Sequence, residues 1–245
     1  MKKYKIFIAC NIICSLILIN KNVFAANKEN IYYKNENGVN LTTEEYNFLS
    51  QLYWDGYQKL ITVEEYQNLK SLNIFQNEIE TKYLVESNMR STSISTPKKI
   101  LKVSKSCSSD CIISTTVTWK TNPVTRSYDV IGAYLNGTRL TNNPITNVIS
   151  STQKDVFKDT NFQINGFGQS IKIPSSGNNI IINQSFKVHS NGVTFISYQH
   201  AKKKISLQNS NKYVISSDGY GRVFKFENSI SSIYDGMQGL SLELK

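Results

Sequence analysis

The chain has 245 residues, 40% hydrophobic and 19% charged, with 28 Lys+Arg against 18 Asp+Glu for a formal net charge of +10. Two histidines and four cysteines leave little material for a metal centre. Beyond residue 25 no run approaches the roughly 20 apolar residues that a membrane-spanning helix needs.

Lys2, Lys3 and Lys5 precede an apolar run from Ile6 to Ile19, and Val23-Phe24-Ala25 puts small residues where a signal peptidase reads. Residues 1–25 are therefore expected to be a signal peptide cut after Ala25, with Ala26 as the second choice. The mature chain is expected to be secreted, or held at the surface without a covalent link. It keeps a net charge of +6, divided as −5 over residues 26–86 and +11 over residues 87–245. The basic part suits anionic polymer, lipid or nucleic acid.

Residues 26–86 form an acidic region that opens on an extended polar lead-in, followed by an internal repeat. Leu41-Thr-Thr-Glu-Glu-Tyr-Asn-Phe-Leu-Ser-Gln-Leu52 returns as Ile61-Thr-Val-Glu-Glu-Tyr-Gln-Asn-Leu-Lys-Ser-Leu72. Thr42 stands three before Glu45, and Thr62 three before Glu65, the spacing of a capping box at a helix start. Tyr46, Leu49 and Leu52, and Tyr66, Leu69 and Leu72, recur at helical spacing. Two short helices broken at Asp55-Gly56 predict a helical hairpin. Capping accounts for the paired carboxylates without a catalytic role.

Ser87-Asn-Met-Arg-Ser-Thr-Ser-Ile-Ser-Thr-Pro97 is polar and closed by proline, so residues 87–98 read as a linker. From residue 99 to 245 the pattern changes to strands. Ile113, Thr115, Val117 and Trp119 alternate with polar neighbours, and Tyr128, Val130 and Ile131 begin a second run. Further extended segments are expected over 162–167, 170–173, 180–182, 185–189, 205–207, 213–216 and 222–226. Asn136-Gly137 and Asn191-Gly192 are hairpin signals, and Asp218-Gly219 joins the last pair. The predicted fold is α+β: a short N-terminal helical hairpin, then a mainly antiparallel β-sandwich, with a barrel as the alternative.

Cys10 and Cys14 lie in the leader, which leaves Cys107 and Cys111. In an exported protein these should be oxidised. If Ser108-Ser109-Asp110 is a tight turn, the two face each other across a hairpin as a structural disulfide.

The leader, the LTTEEYNFL and ITVEEYQNL helices, and Trp119-Lys120, Asn122-Pro123 and Arg126-Ser127-Tyr128-Asp129-Val130-Ile131 resemble a group of exported proteins of low-GC Gram-positive bacteria. That resemblance implies a signal peptide, paired helices and a β-rich C-terminal domain. It implies no chemistry.

No G-x-S-x-G elbow, H-E-x-x-H helix or P-loop is present. A catalytic triad would have to use His189 or His200, and solvent-facing histidines are expected instead. Arg126 and Asp129 read as an ordinary turn pair. Gly166-Phe-Gly168 and Gly219-Tyr-Gly221 read as Gly-aromatic turns. No catalytic residue, metal ligand or cofactor is expected. Lys202, Lys203 and Lys204 beside His200 are the one dense basic run and the candidate anion-binding patch. The sequence thus points to a secreted, non-enzymatic binding protein for a surface polymer or a protein partner. A membrane-active, toxin-like protein is the alternative, and a hydrolase comes third.

Overall fold

A computed structural model describes residues 32–53, 56–88, 96–152, 158–217 and 221–245. The expected leader with Ala25 and Ala26, residues 89–95 of the expected linker, and Asp218-Gly219 lie outside the described residues.

The acidic region begins with a hairpin, β1 (Tyr32–Lys34) against β2 (Asn40–Thr42), where the sequence suggested only an extended lead-in. Asn35 organises its turn. Its Oδ1 accepts from Val39 N at 2.8 Å, and its Nδ2 donates to Ile61 O at 2.7 Å. Both expected helices form, α1 (Thr43–Leu52) and α3 (Val63–Ser71), and each carries the full capping box at Thr42 and Thr62. A short helix, α2 (Tyr57–Leu60), lies between them. The repeat copies are tied together: Tyr66 Oη donates to Glu45 at 3.0 Å, and Lys70 Nζ lies 3.3 Å from the same carboxylate. Leu41, Phe48, Leu49, Leu52, Ile61 and Leu69 close a small core of their own, which Ile112 of the next domain enters.

From Glu80 onward the chain supplies two five-stranded sheets among the described residues. The strands are β3 (Glu80–Asn88), β4 (Thr96–Cys107), β5 (Asp110–Trp119), β6 (Tyr128–Asn136) and β7 (Ile145–Ile149). They continue as β8 (Lys158–Gln163), β9 (Gly166–Lys172), β10 (Ile181–His189), β11 (Val193–Gln199) and, after a small outer layer, β14 (Leu240–Glu243). One sheet runs β3-β4-β5-β10-β7 and the other β14-β11-β6-β9-β8, all antiparallel. Inward residues alternate along each strand, as a sandwich requires. Leu101, Val103, Ile113, Val117, Ile182 and Phe186 from the first sheet meet Ile131, Ala133, Phe167, Ile171, Ile196 and Leu242 from the second.

β5 is buried on both faces over most of its length. One face looks into the sandwich, while Ile112 on the other enters the helical core. Lys102 fastens the same cover by donating to Gln51 O and to Tyr53 O at 3.0 Å. Two aspects of the expected organisation differ in the structure. Glu80–Asn88 is a strand paired with β4, so the acidic region contributes the edge of the first sheet. The residues read as a linker include the end of β3 and the start of β4.

Neither Asn-Gly pair closes a hairpin. β6 pairs with β9 and β11, and β10 pairs with β5 and β7, so both turns carry the chain from one sheet to the other. The two turns meet. Asn191 Nδ2 donates to Gly137 O at 2.7 Å, and Gly137 and Gly192 have φ of 72° and 81°. Left-handed backbone suits glycine at both positions, whichever strands the turn connects. The expected extended segment 162–167 breaks at Ile164-Asn165 into the β8–β9 hairpin, and the one expected over 205–207 is not a strand: Leu207 there opens a helical turn, α4 (Leu207–Ser210).

On the outer face of the second sheet lie β12 (Tyr213–Ile215), β13 (Phe224–Phe226) and α5 (Asn228–Ser231). Gly166 to Gly168 belong to β9 and form no separate turn. A Cβ at Gly168 would run into Tyr213 Oη and come within 2.8 Å of Phe224. The bare backbone there is what lets this layer sit flat, with Tyr213, Phe224, Ile230 and Tyr234 sharing a core with Val130.

Candidate functional site: a basic end over a buried Asp–His cluster

β4 and β6 begin, and β5, β9 and β11 finish, at the same end of the sandwich. The loops there are cross-linked. Lys120 N donates to Lys98 O at 2.9 Å, Thr125 Oγ1 to Lys202 O at 2.8 Å, and Asn122 Nδ2 to Asn178 Oδ1 at 2.6 Å. Lys120, Lys202, Lys203 and Lys204 are exposed on this end, with Lys98 and Arg126 half-buried beside them. Arg126 uses its guanidinium to hold the 174–177 loop, donating to Pro174 O at 2.9 Å and Gly177 O at 2.7 Å. It does not pair with Asp129, which corrects the turn pair expected from sequence.

Asp129 instead lies fully buried beneath the lysines. Its carboxylate accepts from Tyr198 Oη and from Ala201 N at 2.9 Å, and faces His200 Nδ1 at 3.0 Å. His200 is 3% exposed, packed edge-on against Trp119 with ring centroids 4.7 Å apart. This corrects the solvent-facing histidine and removes His200 from the expected anion patch. The patch reduces to the three lysines. A second buried pair sits alongside. Lys99 Nζ, in a side chain with no exposure, bonds Asp235, and it lies 5.2 Å from the ring centroids of both Trp119 and Tyr198. Asp235 Oδ1 in turn accepts from His200 N at 3.2 Å and Met237 N at 3.3 Å.

Buried charge is stable only when it is paired and hydrogen-bonded, and this cluster meets both conditions. Burial pushes the Tyr198 phenol well above its ordinary pKa, and the Asp129 carboxylate adds to the rise. The phenol therefore serves as a neutral donor.

His189 is at the opposite end. It is 42% exposed and faces Asp110 at 3.1 Å, so there the solvent-facing expectation fits. The same end holds the Cys107–Cys111 disulfide, which closes the β4–β5 hairpin with Cα atoms 4.0 Å apart. Among the described residues no group of His, Cys, Asp or Glu is placed to hold a metal ion, and no helix is long and apolar enough to cross a membrane.

Sequence reasoning missed Asp129, Tyr198, Lys99 and Asp235. For the first two a signal existed. Asp129 shares strand parity with Ile131, Ala133 and Leu135, and Tyr198 and His200 share it with Ile196, so alternation already turns them inward. No family model, curated protein or solved structure matches the chain.

Proposed function

We propose that this is an exported, non-enzymatic binding protein that engages an anionic surface polymer through the basic end of its sandwich. One observation carries the reading. Lys202, Lys203 and Lys204 are exposed together, while the two carboxylates beneath them, Asp129 and Asp235, are buried and committed to internal partners. Lys99 offsets Asp235 internally, and three exposed lysines outnumber the one remaining carboxylate, Asp129, so the end stays net positive and a polyanion would meet it through displaced counterions. The expected export leader and the resemblance to exported Gram-positive proteins favour a cell-wall polymer as the ligand.

The runner-up is engagement of an anionic membrane. Val124, fully exposed in the loop that also carries Lys120, favours it.

Co-sedimentation of the mature protein with purified cell walls and, separately, with anionic vesicles at two salt concentrations tests both. The expected result is pelleting with walls that weakens at high salt and is lost in K202E/K203E/K204E. Pelleting that survives this triple variant unchanged would remove the basic end from the function. Pelleting with vesicles alone would select the membrane reading.

A further inference from the structure

We propose that Lys99 and Asp235 are the two halves of an intramolecular amide bond, which the folded chain forms between them with loss of one water. Lys99 comes from β4 and its side chain has no exposure, while that of Asp235 is 6% exposed. Lys99 Nζ bonds Asp235 Oδ2. The other carboxyl oxygen, Oδ1, accepts from two backbone amides, His200 N at 3.2 Å and Met237 N at 3.3 Å. The backbone at Asp235 is itself fixed: its N–H donates to His200 O at 3.1 Å, beside the Ala201–Tyr234 bridge. The rings of Trp119 and Tyr198 wall the amine, each with its centroid 5.2 Å from Nζ.

Acyl transfer to an amine needs these contacts. A nitrogen bonded to a carboxyl oxygen lies roughly 3–3.5 Å from the carboxyl carbon, the near-attack range. Two N–H donors on one oxygen form an oxyanion hole for the charge that develops there. The roles follow: Oδ1 stays as the amide carbonyl and Oδ2 leaves. Low dielectric narrows the gap between an ion pair and its neutral form, so the first proton passes from Nζ to Oδ2 along the existing hydrogen bond. The neutral amine then attacks Cγ. A second proton moves from nitrogen to Oδ2, the Cγ–Oδ2 bond breaks, and the oxygen departs as water. One ammonium and one carboxylate have become one amide and one water, and no outside reagent is consumed. Fixed proximity offsets the unfavourable condensation in water. Before reaction the two groups are the ion pair described above. Afterwards β4 is tied to the 235 segment, 136 positions away, so a chain nicked in a loop between them stays in one piece when denatured. The inference does not rest on the polymer reading.

Intact mass of the mature chain, reduced and denatured after storage at neutral pH, tests the bond. The chain should be lighter than its reduced sequence by one water. Trypsin should leave the bond after Lys99 uncut and release residues 99–102 joined to residues 226–245. Lys99→Arg keeps a cation in place but holds its proton too firmly to attack. K99R should therefore fold, by thermal melt, and carry its full mass, as should D235A. Full mass in the folded wild type, or cleavage after Lys99, would overturn the proposal. So would a water loss that persists in K99R, since a succinimide at Asp235-Gly236 sheds the same mass without using Lys99. The wild-type peptide map decides the outcome even where a variant fails to fold.

Discussion

His200 Nδ1 stands 3.0 Å from both carboxylate oxygens of Asp129, inside an end of the sandwich whose surface is three consecutive lysines. The imidazole and the Tyr198 phenol together clasp a carboxylate that has no exposure. The clasp joins β6 to the end of β11 and sets the path of the chain as it enters the lysine loop.

Removing that carboxylate should be expensive. Asp129→Ala leaves a phenol, an imidazole and the Ala201 amide without their acceptor, a loss of about 3 kcal/mol for a broken buried pair. Tm should fall by roughly 6–12 °C for a domain of this size. Asp129→Asn keeps an oxygen acceptor and should lose less than half as much. Equal melting of D129A and the wild type would show that the cluster is not a structural clasp.

Lys99 and Asp235 should behave as one unit. Lys99→Met strands a buried carboxylate, whereas K99M/D235N retains an oxygen for the His200 and Met237 amides and carries no unpaired charge. A double-mutant cycle in denaturant should give a coupling of about 2 kcal/mol. A coupling near zero would mean that the pair contributes independently of its contact.

The disulfide should act locally. It closes a loop of about five residues, and loop-closure scaling gives about 2 kcal/mol. C107S/C111S should therefore fold, melt somewhat earlier and exchange amides faster around Ser108-Ser109. Loss of folding in that variant would contradict this, since β4 and β5 remain paired from Lys99 to Lys105 without it.

Alkali should destabilise the protein through its buried phenols. Burial raises the pKa of Tyr53, Tyr213 and Tyr234, and burial together with Asp129 raises that of Tyr198. The folded chain thus holds protons that the unfolded chain releases near the ordinary value of about 10. Their stabilisation is complete below pH 10 and is lost as pH rises above it. Each such phenol contributes about 1.4 kcal/mol per pH unit in that window. Melting curves at pH 8, 9, 10 and 11 should fall more steeply for the wild type than for Tyr198→Phe. Identical slopes would exclude Tyr198 as a contributor.

The helices were legible because their signals are local. Thr42/Glu45 and Thr62/Glu65 each need only three residues of context, and both capping boxes are present. The antiparallel sandwich and the cysteine pairing were legible for the same reason, through alternation and one short turn. Pairing between strands far apart in sequence was not. Gly137 and Gly192 announced left-handed backbone, but which strands a turn connects depends on partners such as Phe186 and Ile113, 73 positions apart and matched across the sheet. The buried cluster was hidden by the same limit. Alternation turns Asp129 inward but does not name its partner, and Lys99 and Asp235 are ordinary surface residues by composition that only the meeting of β4 with the 235 segment pairs.

The placement of β14 has a consequence for how the chain comes into being. β14 forms an edge of the second sheet, and Lys82 reaches across 159 positions to Ser241 O at 2.7 Å, while Lys99 reaches Asp235 across 136. Contacts that distant cost the most loop entropy and slow folding the most. On a ribosome, residues 80–230 would emerge with one sheet edge unpaired and Lys99 without its counterion. Closure becomes a single late event, timed by the arrival of residues 235–244. Until then β11 stands as the edge of the second sheet in place of β14, a longer strand with its outer backbone groups unpaired and the more prone to aggregate, and a holding chaperone would have its longest opportunity to act.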